Sequence, residues 1–390
     1  MSHYKRIVLA SRPVGDIEPN TFRTEKHPVS ALVPGDGEVL VQVTYLSCDP
    51  AQRGYIRDVR SYLPPVQIGE TMRAQGLGVV IKVGKGSTLN VGQTVTGAFG
   101  WTEFAVMKEQ HVDKITVPKG VQAIDFLNTL GMSGLTAYFG IRDICQIKPG
   151  ETVIVSGAAG SVGSVACQLA RRAGAGKVYA IAGSPDKCEW LEKEIKPGET
   201  VIVSGAAGSV GSVACQLARR AGAGKVYAIA GSPDKCEWLE KEVGVDRALN
   251  YKSKTFYSDL KGIGYIDVYF DNVGGDLLDM VLTRLNKGAR IALCGAISQY
   301  NATKPKGLQN YLTLISQRAT LRGFIILDYV PEFPAAIEEL AVALVDGSIK
   351  RKFHIVDGLE QAPVALPWLF AGKNEGKLLV KVSDEPKAKL

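Results

Sequence analysis

The chain has 390 residues, of which 46% are hydrophobic and 22% are charged, and its formal net charge is +7. This composition is typical of a globular protein large enough for two domains, and no apolar run is long enough to cross a membrane. The small positive excess contains no basic run with interleaved aromatic residues, which argues against a nucleic-acid partner and favours an anionic cofactor.

The first third of the chain has the pattern of strands and turns. β-Branched runs between glycines and prolines occupy Gly37–Ser47, Gly76–Gly84 and Gly92–Met107, as in a β-rich module. An apolar, helix-like segment follows Ala123. We therefore predict that residues 1–125 form a first, β-rich domain.

The middle of the chain alternates strands and helices. Runs such as TVIVS and KVYAIA alternate with helical stretches such as SVACQLARRAG. This alternation predicts right-handed crossovers and a doubly wound parallel sheet over residues 126–330. The last part, 331–390, contains helices and a final strand, Gly376–Val382, which we predict rejoins the first domain. The predicted fold class is therefore α/β, with one domain inserted in another.

Residues Ile147–Glu194 and Ile195–Glu242 are identical and form a perfect tandem repeat of 48 residues. Repeat architectures usually drift and need three or more units, so we interpret the repeat as one duplicated functional unit. A dinucleotide binds at one switch point of a doubly wound sheet, where one glycine-rich turn can stand. Chain continuity favours the turn of the first copy and the lysine of the second copy, with the surplus residues looped out. The alternative arrangement adds the extra strands to the sheet.

Each copy has a glycine-rich turn between its first strand and first helix, at Gly157–Gly163 and Gly205–Gly211. Small residues there let the backbone approach a pyrophosphate at the helix N-terminus, although they also allow tight packing of helix on sheet. The next strand ends without the acidic residue that binds the ribose of NAD, and Lys187 or Lys235 follows it. A lysine there suits the 2′-phosphate of NADPH, or else is a solvated residue at a helix start. Tyr251, after the third strand, can contact the same phosphate or be a half-buried sheet residue.

The sequence does not predict a zinc site. The four histidines, His3, His27, His111 and His354, stand apart from one another and from any paired cysteines. Neither catalytic nor structural zinc ligands follow this pattern. The seven cysteines have no metal-ligand spacing and are expected to be buried, unreactive thiols.

Six motifs occur in the order GMSGLTAYFG, SGAAGSVGS, NYK, YFDNVGG, CGAISQYN and GKNEGK. They resemble the zinc-independent medium-chain reductases of the leukotriene B4 dehydrogenase, prostaglandin reductase and alkenal double-bond reductase group. The resemblance implies a Rossmann domain inserted in a GroES-like substrate domain, and NADPH-dependent reduction of the carbon–carbon double bond of α,β-unsaturated ketones and aldehydes. Two departures stand out: Ser133 replaces the usual proline, and Ala51-Gln52 replaces the usual Tyr-Met in the expected substrate pocket.

The resemblance also suggests roles for particular residues. Tyr300, just beyond a strand, is the candidate donor to the enolate oxygen, and a hydrogen bond to the nicotinamide ribose is its alternative role. Tyr55 is a candidate replacement for the missing aromatic residue. The residues expected to bind the cofactor are Thr136, Gly160, Ser161, Val162, Gly163, Lys187, Gly208, Ser209, Val210, Gly211, Lys235, Tyr251, Asn272, Cys294, Gly295, Ala296, Ile297, Ser298, Phe324, Ile325, Ile326 and Asn374.

We therefore expect an NADPH-dependent enone or alkenal reductase that transfers hydride to the β-carbon of a small-molecule substrate, without a nucleic-acid or membrane partner, and with a homodimer as one assembly. The alternatives are a quinone oxidoreductase and an NADPH-binding protein made catalytically silent by the duplication. The N-terminus lacks the apolar core of a secretory signal, which predicts a cytoplasmic protein. The C-terminal Ala388-Lys389-Leu390 is close to a peroxisomal address, so the peroxisome is the alternative location.

Overall fold

The computed structural model divides the chain into two compact units. Unit 1 comprises Met1–Gly131, Tyr300–Thr303 and Phe353–Leu390, and unit 2 comprises Met132–Gln299 and Lys304–Lys352. The residues that the structure describes are 3–148, 152–155, 161–175, 177–180, 200–204, 225–230, 247–250, 260–262, 264–347, 349, 351, 353–371, 373–374 and 377–386.

The secondary structure of the described part is as follows. The strands are β1 (His3–Leu9), β2 (Phe22–Pro28), β3 (Glu38–Ser47), β4 (Gly76–Val83), β5 (Thr94–Gly97), β6 (Phe104–Lys108), β7 (Val112–Lys114), β8 (Thr152–Val155), β9 (Lys177–Ala180), β10 (Thr200–Ser204), β11 (Lys225–Ala230), β12 (Arg247–Asn250), β13 (Ile266–Asp271), β14 (Leu285–Leu293), β15 (Thr320–Gly323), β16 (Phe353–Asp357) and β17 (Lys377–Lys381). The α-helices are α1 (Gln52–Tyr55), α2 (Met132–Phe139), α3 (Ser161–Arg172), α4 (Gly275–Leu282), α5 (Leu312–Gln317), α6 (Phe333–Val345) and α7 (Ala362–Ala371). A π-helical turn over Gly140–Cys145 extends α2. No helix in the described ranges combines the length and the apolar character that a membrane span requires.

A mostly antiparallel sheet forms the framework of unit 1. Its strand order is β16-β17-β3-β4-β5-β7, and β6 also pairs with β3. Val39, Val41 and Val43 alternate along β3 and are fully buried in the core that contains Phe22 and Trp101. The strand β17 pairs antiparallel with β3. The C-terminal part of the chain therefore completes the sheet begun by the first part, as the sequence indicated.

The first two strands form a separate antiparallel pair. On β2, the Glu25 carboxylate accepts hydrogen bonds from Arg23 at 2.8 Å and Arg6 at 2.9 Å, and His27 Nε2 lies 3.2 Å from it. The bond from Arg23, followed by those from Arg6 and His27, lowers the pKa of Glu25 to about 2. The carboxylate is therefore charged at neutral pH and links the two strands.

Unit 2 contains a five-stranded parallel sheet with the order β15-β14-β13-β8-β9. The chain adds β9 on one side of β8, and β13, β14 and β15 on the other side. The place where β8 meets β13 is therefore a topological switch point. The first copy of the repeat supplies β8. The α/β fold class predicted from the sequence is confirmed.

The second copy of the repeat also forms strands. β10 and β11 lie in this copy and make a parallel three-stranded sheet with β12, and residues of β9 and β10 approach within 8 Å between Cα atoms. β10 and β11 are therefore paired strands that lie outside the five-stranded sheet, which matches neither the looped-out copy nor the alternative that adds both strands to that sheet. Pairing among the added strands satisfies backbone groups that a looped-out strand would leave exposed as an edge.

The boundaries of unit 2 differ from those expected. Residues 126–131 belong to unit 1, whereas α6 belongs to unit 2. The rings of Tyr329 and of Phe333, which begins α6, lie beside Phe139 of α2 with centroid separations of 4.5 and 6.2 Å. These aromatic contacts hold α6 against α2, and after Thr303 the chain returns to unit 1 only at Phe353.

Candidate cofactor and active site

The N-terminus of α3 follows the strand at the switch point. β8 lies between β13 and β9, and the first turn of α3 consists of Ser161, Val162 and Gly163. Val165 and Leu169, spaced by four residues, are buried and turn one helix face toward the core. The first-turn N–H groups have no partner within a helix, and the helix dipole is positive there. This end of α3 therefore suits a pyrophosphate.

The loop after β13 is organised by Asp271, which is fully buried. Its carboxylate accepts hydrogen bonds from the backbone N–H groups of Val273 at 3.0 Å and Gly274 at 3.1 Å. The hydroxyl of Tyr269 donates to the same carboxylate at 2.7 Å. Asp271 thus fixes the turn that carries the predicted cofactor residue Asn272. The sequence analysis missed it, although a strand-end aspartate before two glycines was a usable signal.

The loop after β14 is hydrogen-bonded to this turn. The N–H groups of Cys294 and Gly295 donate to the carbonyl of Asp271 at 2.9 and 3.0 Å, and that of Ile297 donates to the carbonyl of Asn272 at 3.2 Å. The Ser298 hydroxyl donates to the Val273 carbonyl at 2.7 Å. The structure therefore brings Asn272 together with the predicted segment Cys294, Gly295, Ala296, Ile297 and Ser298.

The two glycines after Asn272 are required by this arrangement. Gly274 and Gly275 have φ angles of +68° and +58°, which residues with a side chain rarely adopt. A Cβ on Gly274 would lie 2.9 Å from Cβ of Ala296, and a Cβ on Gly275 would lie 2.5 Å from Nε2 of Gln299. The glycines thus allow the two loops to approach each other closely.

The thiol of Cys294 is expected to be unreactive. Burial, and then the nearby Asp271 charge, raise its pKa to about 12. The group is a neutral thiol at physiological pH and therefore a poor nucleophile. In this loop the backbone of Cys294 has the structural role.

Other predicted cofactor residues lie on α2 and after β15. The Thr136 hydroxyl donates to the Met132 carbonyl at 2.6 Å, so its proton is used within α2. A Cβ on Gly140 would lie 2.9 Å from Cζ of Phe324, which places the Phe324 ring against the π-helical turn. Ile325 has an extended backbone, with φ −124° and ψ 131°. Phe324, Ile325 and Ile326 are half-buried.

In unit 1, Tyr55 ends the short helix α1 and is half-buried. Its ring centroid lies 6.4 Å from that of Tyr62, and the Arg73 guanidinium lies 5.5 Å from the Tyr55 ring. Burial, followed by the influence of Tyr62, raises the pKa of Tyr55 above its usual range. Tyr55 therefore keeps its proton and can donate a hydrogen bond.

The departure at Gln52 has a structural explanation. Gln52 is buried, its side-chain oxygen accepts the Asp49 N–H at 2.9 Å, and its amide donates to the Arg73 carbonyl at 3.0 Å. These two bonds fix the start of α1. Gln52 is therefore used inside unit 1, whereas the neighbouring Ala51 offers only a methyl group where an aromatic residue was expected.

Tyr300 lies in the short segment Tyr300–Thr303, which belongs to unit 1 although the residues on both sides of it belong to unit 2. Tyr300 is half-buried. The next residue, Asn301, accepts a hydrogen bond from Arg53 of α1 at 3.0 Å. Asn374, the predicted residue of the C-terminal part, is also in unit 1 and is buried. The sequence analysis did not identify Arg53.

Comparisons with known proteins identify the family. A model of the N-terminal domain of oxidoreductases matches residues 5–115, and a zinc-binding dehydrogenase model matches residues 209–342. The chain is 36% identical over 387 residues to a putative NADP-dependent oxidoreductase of Bacillus subtilis, with 97% of this chain and 98% of the relative covered. The chain belongs to the zinc-independent medium-chain dehydrogenase/reductase family. The family inferred from the six motifs is confirmed.

Two further relatives of this medium-chain reductase are informative. The NADP(+)-dependent 2-alkenal reductase of Nicotiana tabacum is 30% identical over 391 residues, and 98% of each chain is covered. The crystal structure of CurA from Vibrio vulnificus in complex with NADPH is 32% identical, with a TM-score of 0.75 and coverage of 97% of this chain and 99% of that chain. The similarity therefore extends over both units.

Within the described ranges of this medium-chain reductase, no group of three or more His, Cys, Asp and Glu side chains could hold a metal ion. The second family match begins in the second copy of the repeat, but the copies are identical, and the strand at the switch point comes from the first copy. The predicted residues outside the described ranges are Gly160, Lys187, Gly208, Ser209, Val210, Gly211, Lys235 and Tyr251.

Proposed function

We propose that the protein is an NADPH-dependent reductase of the carbon–carbon double bond of α,β-unsaturated ketones and aldehydes. The observation that carries the proposal is the α3 N-terminus at the switch point, with the loops after β13 and β14 hydrogen-bonded at the same edge of the sheet. Dinucleotides bind at this edge of doubly wound sheets. The alkenal reductase relative supports the substrate class.

In this proposal unit 2 is a Rossmann domain and unit 1 is a GroES-like substrate domain. The first-turn N–H groups of α3 would hold the pyrophosphate, because they have no acceptor within the helix and lie at its positive dipole end. Asn272 and the Cys294–Ser298 segment would line the nicotinamide side, since their backbones are already held together by hydrogen bonds. The extended backbone at Ile325 would present its N–H to the carboxamide, since its carbonyl already accepts from the Asp328 N–H at 3.1 Å.

When bound, NADPH supplies a hydride to the β-carbon of the substrate. Negative charge then develops on the substrate carbonyl oxygen, where a positioned hydroxyl would stabilise it, and water would supply the proton to the α-carbon. Tyr300 is the proposed donor, and a bond to the nicotinamide ribose is its second candidate role. Tyr55, held as a neutral phenol, would supply a further donor on the substrate side.

The first experiment measures NADPH oxidation against a panel of enones, alkenals and quinones. We expect turnover with enones or alkenals. Tyr300→Phe should lower kcat about tenfold to a thousandfold with little change in NADPH affinity, because one transition-state hydrogen bond is lost. Tyr311→Phe, which changes an exposed tyrosine of unit 2, is the matched control. Cofactor binding without substrate-dependent oxidation would contradict the proposed activity, and an unchanged kcat with weaker NADPH binding would give Tyr300 the ribose role.

We also propose that two copies of the chain associate through β15. This strand is an edge of the described five-stranded sheet, and Leu312 and Ile315 of the preceding α5 are 60% and 71% exposed. A two-fold axis would pair β15 with its own copy and cover these side chains. Light scattering during size-exclusion chromatography should show a dimer, and Ile315→Lys should shift it toward monomer. A monomeric parent protein would contradict this assembly.

A further inference from the structure

The segment Tyr300–Thr303 is held to unit 1 by side chains of α1 and the residues after it. We infer that Arg53 is a positioning residue that fixes Tyr300 through Asn301. The inference rests on the proposed function, since it adds a residue to the site in which Tyr300 acts. It concerns unit 1 alone, because the segment and its partners all belong to that unit.

Arg53 has an environment that is unusual for a charged residue. Its side chain is 0% exposed. Its Nη2 donates to the carbonyls of Pro13 and Gly15 at 3.1 and 2.7 Å, and its Nε donates to Oδ1 of Asn301 at 3.0 Å. The guanidinium thus joins the loop at Pro13–Gly15 to the residue after Tyr300.

Asn301 is bound from a second side as well. Its Nδ2 donates to Oδ1 of Asp16 at 2.7 Å, so both ends of the amide are used. The next residue is held independently, because Nη2 of Arg57 donates to the carbonyl of Ala302 at 2.9 Å. Consecutive anchors on Asn301 and Ala302 fix the direction in which the chain leaves Tyr300.

The chemistry of the anchor explains why it is an arginine. The guanidinium has five N–H donors in a rigid fork, so one group can reach a side-chain amide and two carbonyls in different directions. A lysine has a single ammonium on a flexible chain and lacks this geometry. Burial of a cation is unfavourable for stability, and here Arg57 adds a second positive charge nearby, which together lower the pKa of Arg53. Because the buried guanidinium bonds to three acceptors at once, it holds Asn301, and with it Tyr300, in one place.

The test uses Asn301→Ala, which removes the amide and leaves Arg53 bonded to the two carbonyls. Asn90→Ala, an exposed asparagine of the same unit, is the control. We expect Asn301→Ala to lower kcat for an enone about 10- to 100-fold, the size expected when a reacting group is displaced, with the NADPH Kd unchanged. Combined with Tyr300→Phe, it should give no further loss, because both changes remove the same positioned hydroxyl. Arg53→Lys should reproduce the effect.

A second readout does not depend on turnover. Amide hydrogen exchange of peptides that contain 300–303 should become faster in Asn301→Ala and stay at the parent rate in Asn90→Ala. Unchanged exchange in this segment, or kcat losses that multiply in the double variant, would overturn the inference. A parent protein without enone-dependent oxidation would overturn the proposed function instead, and the exchange measurement would still decide whether Asn301 anchors the segment.

Discussion

The ion pair between Lys377 and Asp49 predicts an asymmetric response to mutation. Lys377 of β17 is a buried residue whose side chain is 2% exposed, whereas the Asp49 side chain is 34% exposed. Ser47 also donates to Asp49. Removing Asp49 leaves a buried ammonium without this carboxylate, which costs about 3–5 kcal/mol for a fully buried pair. Because Asp49 is one-third exposed, we expect about 2–4 kcal/mol for Asp49→Ala.

Lys377→Met removes the buried charge and keeps the volume. The carboxylate left behind reaches water, so the expected cost is below about 1.5 kcal/mol. Urea unfolding followed by tryptophan fluorescence measures both changes, since Trp101 is fully buried in the core of unit 1. Asp49→Asn is a control that keeps an oxygen acceptor for Ser47. Equal destabilisation by Lys377→Met and Asp49→Ala would refute the reasoning that burial of the ammonium sets the difference.

Four further predictions follow from the fold and the site. Chain continuity favoured Lys235 as the phosphate lysine, but β9 and not β11 neighbours β8. Lys187→Ala should therefore weaken the preference for NADPH over NADH about 10- to 100-fold, as for a lost charge-assisted bond, and Lys235→Ala should weaken it less; equal NADPH Kd values for the two variants would contradict this. Deleting Ile195–Glu242 should give a more stable, at least equally active enzyme of 342 residues, because the remaining copy offers β12 the same partner sequence; thermal unfolding and NADPH oxidation test it, and loss of folding or activity would show that the added strands are needed. The low pKa of Glu25 contributes stability that is present above about pH 4.5 and is lost as the pH falls toward 2, by about 1–2 kcal/mol; Glu25→Gln should flatten this acid limb in urea titrations, and an unchanged limb would mean that the carboxylate is not the cause. Gly275→Ala should weaken NADPH binding in fluorescence titrations more than Gly288→Ala, since both have positive φ but only Gly275 meets a neighbouring side chain; a larger effect at Gly288 would contradict the close approach of the two loops.

The sequence was a good guide where function depends on local pattern. The alternation of strands and helices predicted the parallel sheet, and the ordered motifs placed Asn272 and Cys294–Ser298 in loops that the structure brings together. The position of the switch-point strand followed from chain continuity, because only a short link precedes β8 in the first copy.

Other features depended on contacts that no local pattern reveals. The Arg53–Asn301 bond joins residues separated by 248 positions, and a lone arginine in a turn-rich segment carries no sign of that partner. The burial of Asp271 also depends on tertiary contacts, although its place before two glycines was a local signal. The placement of the surplus strands could not follow from sequence, because two identical copies present the same propensities and the same apolar faces.

The identity of the two copies has a consequence for folding. β12 pairs with β11 at Tyr227–Ala230, and the same four residues occur at Tyr179–Ala182. The chain thus offers one strand two chemically equivalent partners, which narrows the energy gap that normally separates the native arrangement from its competitors. Two chains that exchange equivalent copies would form the same strand pairs between molecules as within one. The repeat therefore favours domain swapping between chains.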